Sequence, residues 1–323
     1  MKITWKNLAR CAVMLSLAGA AFAQSQWPER PIKFIVPFPP GGSTDALVRT
    51  IAPRVGQLLG QPIIIDYKSG AGGSIGLNAV ATAPSDGYTI GLGSPGALMS
   101  VPHLSKVPYD VDKDFAFITR LARVPAVIVT SKGSSIQSAR DMLERTRANP
   151  GKLNYAHAGR GTLVHLVGEL FKAEAKLDIT PVAYRGAAPA LQALIGNETE
   201  LMVADLTAVW GALQNDQIKP LAITSPQRSP LLPQLPTVAE LGYPKVTYES
   251  DYGVVSPANV PAAIRSKLAS AFNTALNEAS TKEAYAKIGS QSAPSTPEEY
   301  RQTVLQGSTL WGEFIRANKV VAD

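Results

Sequence analysis

Two short stretches of the 323-residue chain carry residues spaced for chemistry. The first is Phe38-Pro39-Pro40-Gly41-Gly42-Ser43-Thr44-Asp45. It joins a β-forming run, Ile32-Lys33-Phe34-Ile35-Val36, to the helically spaced Leu47, Ile51, Val55, Leu58 and Leu59. Pro37, Pro39 and Pro40 end the strand, and Gly41 and Gly42 open backbone conformations closed to other residues. Ser43 or Thr44 is expected to cap the helix. The second stretch is Ala156-His157-Ala158-Gly159-Arg160-Gly161-Thr162. It lies between a strand at Leu153-Asn154-Tyr155-Ala156 and a helix from Thr162 whose core face is Leu163, Leu166, Val167, Leu170 and Phe171. A strand, a Gly turn and a helix start aim free N–H groups and the positive dipole end at one spot, which suits an anion. Arg160 stands just ahead of a helix N-terminus, where a cation is disfavoured by several tenths of a kcal/mol unless an anion lies between. Its planar fork matches a carboxylate. The two turns are expected to hold one carboxylate between them.

Other chemistries fit less well. Gly41-Gly42-Ser43-Thr44 lacks the lysine of a phosphate loop. Gly91-Leu92-Gly93-Ser94-Pro95-Gly96 has the letters of a dinucleotide fingerprint, but Pro95 interrupts the turn and Pro102 leaves only a stub of helix. His103, His157 and His165 are too few and too unevenly spaced for a metal site, so neither metal nor cofactor is expected. Thr162 and His165 share a helix turn as a hydroxyl–base pair would, yet no nucleophile elbow or third, orienting residue accompanies them. His165 reads as a hydrogen-bonded helix residue, and the chain as a binder with no catalytic residues.

The elements that must position these turns alternate. Strands are expected at 62–66, 88–92, 126–130, 179–184, 200–204, 218–224 and 248–255. Helices are expected near 74–81, 138–148, 187–195 and 206–213, and over most of the C-terminal part. Residues 100–120 read as irregular, and Pro53 should kink the first helix. Thr296-Pro297-Glu298-Glu299 is a capping box with proline at the first helical position. Strands alternating with helices make an α/β protein of mainly parallel sheets. No tandem repeat is present.

At 45% hydrophobic and 17% charged, the chain buries a sizeable core and is long enough for two domains. Residues 1–23 read as a secretory signal: Lys2, Lys6 and Arg10, an apolar run from Cys11 to Ala20, and Ala21-Phe22-Ala23 before the cut. That run is well short of the roughly 20 apolar residues of a membrane span. Its removal takes the only cysteine and three cations with no acid, lowering the formal charge from +6 to +3. A scattered excess of that size does not point to nucleic acid.

The residues resemble a known family, the periplasmic solute receptors of tripartite tricarboxylate transporters, also called Bug receptors. The landmarks are Pro39-Pro40-Gly41-Gly42 with Asp45, Gly70-Ala71-Gly72-Gly73 with Gly76, and Asp86-Gly87-Tyr88-Thr89. Tyr109-Asp110 with Asp114-Phe115, the 154–166 turn, Tyr184-Arg185-Gly186, and Pro236-Thr237 with Glu240-Leu241-Gly242 follow in order. The resemblance implies a two-lobed, Venus-flytrap (type II-like) binding protein, each lobe a mainly parallel sheet flanked by helices. Lobe one would hold residues 24–124 and 249–323, and lobe two residues 125–248. It implies a periplasmic, monomeric receptor that closes on a small organic carboxylate and delivers it to membrane permease subunits. The ligand-binding residues so implied are Phe38, Pro40, Gly41, Gly42, Ser43, Thr44, Asp45, Ser94, His157, Gly159, Arg160, Gly161, Thr162, Arg185 and Asp205. The family's second turn is usually Ser-rich; His157 and Arg160 stand there instead, which suggests a second ligand carboxylate and admits an aromatic dicarboxylate of the phthalate type. Tyr252 or Phe38 would stack on such a ring. A ligand-sensing partner of a membrane kinase, or a hydrolase using Thr162 and His165, are the competing readings.

Overall fold

The computed structural model describes residues 27–321; the leader expected over residues 1–23 lies outside them. β1 (Ile32–Val36) leads into α1 (Ser43–Leu59), whose Leu47, Ile51, Val55 and Leu59 are buried. The helix continues through Pro53, whose ring lies on its exposed side. β2 (Ile63–Tyr67), α2 (Ser74–Ala81) and β3 (Thr89–Gly93) follow. β2 and β3 flank β1 in parallel, with Phe34 opposite both Ile65 and Ile90. A π-turn over Gly96–Ser100 and the short α3 (Val101–Leu104) come next.

β4 then departs from expectation. It is one strand from Phe115 to Ser131, not an irregular segment followed by a strand at 126–130. Arg120, Arg123 and Pro125 break its local apolar pattern, so the strand is defined by its neighbours. After α4 (Ala139–Ala148), β5 (Leu153–His157) enters α5 (Leu163–Ala175), and β6 (Ile179–Ala183) enters α6 (Ala187–Ile195). β7 (Leu201–Asp205), α7 (Leu206–Gln214), β8 (Ile218–Ile223) and β9 (Glu249–Pro257) complete the strands that shape the site. α8 (Ala262–Asn277), α9 (Ala279–Lys287), β10 (Gln291–Ser292) and α10 (Pro297–Asn318) close the chain. The capping box at Thr296 and Glu299 is formed, with both reciprocal bonds.

The strand order is β2-β1-β3-β9-β4-β7-β5-β6, with β8 and β10 also on β4. Each end is a parallel trio, centred on β1 or β5, while β9 and β4 run antiparallel between them. The architecture is α/β as expected, with mixed sheets. Phe115 to Pro125 of β4 pairs with β9; from Ala126 onward it pairs with β7 and β8. Register shifts after Phe117 and after Arg120 mark the irregularities that bend it. Alternating residues sort into two cores, one on each face of the sheet. Phe34, Leu92, Val127 and Met202 pack with α1, α7 and α8; Ile35, Ile128, Tyr155 and Val203 pack with α2, α5 and α10. The turns after β1 and β5 meet across the middle of this sheet.

Candidate functional site

The first turn of α1 and the first turn of α5 line one cavity, through Ser43 and Thr44 on one side and Thr162, Leu163 and Val164 on the other. The first N–H groups of any helix have no partner within it. Here two such sets border the same space, whose interior is about 40 Å³. Phe38, Gly42, Ser94, Gly96, Asp205, Ser250 and Tyr252 complete the lining used below. Two converging helix ends supply about +0.5 charge each, close to what one carboxylate carries.

The walls meet through close backbone approaches. Gly161 has φ +75°, and a Cβ there would lie 2.9 Å from Val101 Cγ2. A Cβ on Gly96 would lie 3.1 Å from both the Gly161 carbonyl oxygen and Thr162 Cα. The Ser100 hydroxyl donates to the Gly161 carbonyl at 2.6 Å, tying the second turn to the helical segment after β3.

Neither Ser43 nor Thr44 caps α1. The N-cap is Gly42, with no side-chain cap bond. The Ser43 hydroxyl instead donates to Asp205 Oδ2 at 3.0 Å, because a buried carboxylate is the stronger acceptor within reach. Asp205 also accepts from the Ser250 hydroxyl at 3.0 Å and from the Tyr252 hydroxyl. Burial pushes its carboxyl above the ordinary carboxylate range, against the pull of those three hydroxyls.

Several expected site residues support the cavity without lining it. Asp45 folds back on its own turn, accepting from the Gly41 N–H at 2.9 Å, from Arg49 Nε at 2.6 Å and from the Tyr67 hydroxyl. Burial would raise its pKa, but those bonds together lower it. His157 is buried behind the second turn, where its ring stacks on His165 at 4.4 Å. Its Nδ1 lies 3.1 Å from the Gly159 carbonyl oxygen and 3.3 Å from the Gly159 nitrogen, and His165 Nδ1 accepts the Gly161 N–H at 3.3 Å. Burial depresses both, to about 3 for His157, where His165 and Arg160 add to it, and to about 4 for His165, against the pull of Glu169. They are neutral braces at pH 7, so His157 brings no charge to a ligand. The Thr162 hydroxyl donates to the Gly159 carbonyl at 2.6 Å, so Thr162 and His165 do not form a hydroxyl–base pair. Pro40 and Gly41 lie in the first turn but line neither this cavity nor the next.

An outer cavity of about 660 Å³ adjoins the inner one and shares Phe38, Pro39 and Ala158 with it. Gly159, Arg160, Gly161 and Arg185 line it, together with the Ser69–Gly73 turn. Arg160 and Arg185 are exposed, and among the described residues neither pairs with an acid.

A sequence model described as the tripartite tricarboxylate transporter family receptor matches residues 47–320. The chain belongs to that receptor family. R. palustris Rpa4515, solved with adipate, is 33% identical with a TM-score of 0.88, over 91% of this chain and 99% of that one. Periplasmic binding protein BugD is 30% identical with a TM-score of 0.86, over 91% and 99%. MatC from Rhodopseudomonas palustris, with bound malate, is 29% identical with a TM-score of 0.83, over 90% and 100%. The receptor's fold is therefore that of a two-lobed periplasmic binding protein.

Sequence reasoning missed Ser250 and Gly96 as lining residues of the receptor and gave Tyr252 a different role. Tyr252, a ring-stacking candidate alongside Phe38, lines the cavity as Phe38 does, and its hydroxyl donates to Asp205. Period-two alternation in β9 places Ser250 and Tyr252 on one face. What that face meets comes from β7 and α1, far away in the chain. Ser94 has the plainest signature: it is 2% exposed, and its hydroxyl has no partner among the described residues.

Proposed function

We propose that this receptor binds an organic carboxylate between the N-termini of α1 and α5 and hands it to a tripartite tricarboxylate permease in the inner membrane. The observation that carries the reading is Ser94: a buried, unpartnered hydroxyl facing a cavity ringed by two sets of unpaired helix N–H groups. Such a group calls for an acceptor. Hydrogen bonds to a charged group contribute about 1.5–3 kcal/mol each, so four give about 6–12, against an association cost of about 4–15. Closure that excludes water must supply the remainder, which favours a cleft over an open surface. The lobes are residues 24–124 with 249–323, and residues 125–248; the changes of partner along β4 support this division. The receptor acts as a periplasmic monomer after cleavage near Ala23, and as a binder, not an enzyme.

The ligand class that fits best is a dicarboxylate. One carboxylate sits at the helix ends, and the second extends into the outer cavity toward Arg160 and Arg185. Adipate in a relative's structure supports a chain of this length, and a rigid phthalate-type ring is a further candidate that loses little freedom on binding. Mass spectrometry of acid released from denatured receptor, followed by a thermal-shift screen of mono- and dicarboxylates, tests the reading. Arg160→Ala should weaken dicarboxylates about fivefold, as an exposed ion pair does, and leave monocarboxylates alone. Unchanged affinity for every dicarboxylate rules out the second contact.

A further inference from the structure

We propose that the inner cavity admits its carboxylate together with one proton, and that Asp205 is the residue that takes it. The inference rests on the carboxylate-receptor reading and concerns what the site selects: an acid delivered with a proton, in place of a bare anion exchanged for water.

The geometry sets the problem. Asp205 is 5% exposed and lines the same small cavity as the two helix ends. Its oxygens accept from Ser43 at 3.0 Å, Ser250 at 3.0 Å and Tyr252, so an acid group of the protein already stands beside the start of α1. Two helix ends amount to about one charge, enough for one carboxylate and not for two. Among the described residues no cation pairs with Asp205. On α1, Asp45 is a further acid, and its charge is answered by Arg49, which is turned toward Tyr67. On β9, Asp251 occupies the alternate face and pairs with Arg120 and Arg123 at 3.2 Å each; Glu249 adds another acid, and just before the strand Tyr248 is a half-buried phenol. β4 places Ala126 opposite Asp205, α6 brings Ala187, and α7 brings Ala208. The α5 turn brings Thr162, with His165 neutral behind it. Arg160 lies in the outer cavity.

Two carboxylates confined together do not both stay ionised; one of them holds a proton. The balance is simple. The ligand carboxylate, the Asp205 carboxylate and one proton from solvent become a pair sharing that proton. The three hydroxyls that now donate to Asp205 rotate freely, so Tyr252 or Ser43 can turn its donor toward the ligand. The like charge raises the pKa of Asp205 in the complex above that in the free receptor. Between those two values binding takes up a proton, and affinity falls as pH rises, by up to about tenfold per pH unit. Below the free value Asp205 is already protonated and affinity is flat.

Calorimetry of the mature chain tests this with the tightest binder among succinate, adipate, malate, phthalate and terephthalate. Titrations in phosphate and in Tris, between about pH 6 and 9, keep the acids ionised. The dependence of heat on buffer counts the protons. Uptake approaching one, with the matching loss of affinity, is expected. Asp205→Asn should bind with no uptake and a flat profile. Tyr252→Phe removes a bond that favours the charged carboxylate, so it should move the onset of uptake to higher pH, and it decides the matter if the Asn variant fails to fold. An acid that binds with no uptake at any pH overturns the proton coupling and leaves the receptor reading intact. If none of the acids binds, that reading falls, and the coupling with it.

Discussion

Replacing Ser94 by alanine should move stability and affinity in opposite directions. The side chain is 2% exposed, and among the described residues its hydroxyl has no partner. A buried hydroxyl left unpaired costs about 1–3 kcal/mol. The cavity beside it, about 40 Å³, has room for a few waters. A water therefore offsets part of that cost in the free receptor. Removing the hydroxyl should leave the ligand-free protein unchanged or up to about 1 kcal/mol more stable, a rise in Tm of at most about 2–4 °C.

In the complex the sign reverses. The hydroxyl donates to a charged acceptor, a bond of about 1.5–3 kcal/mol, so Ser94→Ala should weaken the carboxylate by about 10- to 150-fold. Thermal unfolding without ligand and calorimetry with it measure the two halves separately. A clear drop in the ligand-free Tm with affinity intact would refute the reasoning, because Ser94 would then hold the fold and not the ligand.

Two further predictions come from the same walls. Gly96→Ala puts a methyl 3.1 Å from the Gly161 carbonyl and Thr162 Cα, so the walls must part by a few tenths of an ångström; binding should weaken by about 1–2 kcal/mol while Tm changes little, and unchanged affinity in calorimetry would show that the contact is not needed in the complex. His157 and His165 are held at about 3 and about 4, below the usual value near 6.5, so the unfolded chain binds more protons than the folded one as pH falls below about 6.5. The stability they lend is complete above that pH and is lost toward pH 4, by up to about 1.4 kcal/mol per pH unit for each ring; urea unfolding of His157→Gln should show a shallower loss, and equal slopes would sink the assignment.

What the sequence made legible is what the chain decides locally. β1, its Pro/Gly turn and α1 were read within a residue or two, because breaker residues and helical spacing lie side by side. The capping box of α10 was read outright, since Thr296 and Glu299 are three residues apart. β4 was misread at its start because its first half is a strand only through pairing with β9, more than a hundred residues later. Residue type alone offers Ser43 or Thr44 as the cap. The competing acceptor, Asp205, is 162 residues away, and no local rule could weigh it. The two anion-suited turns were legible as turns. Their shared cavity depends on a sheet order that the order of the strands in the chain does not dictate.

The same distances explain why a ligand can decide whether the cleft is shut. By the proposed division, Asp205 belongs to one lobe, and Ser43, Ser250 and Tyr252 belong to the other. Opening exchanges those three bonds for bonds to water, at a net of about 0.5–1.5 kcal/mol each, so closure gains about 2–5 kcal/mol from them. Closure also strips water from a carboxylate, which costs several kcal/mol. The two terms nearly cancel. In that division the lobes would join at Pro125 of β4, where the strand changes partners and one backbone N–H is missing from the ladder. With the empty cleft balanced this closely, the bonds that an acid makes to the ends of α1 and α5 set the population of the closed form. A permease that recognises the closed lobes would then respond to ligand and to little else.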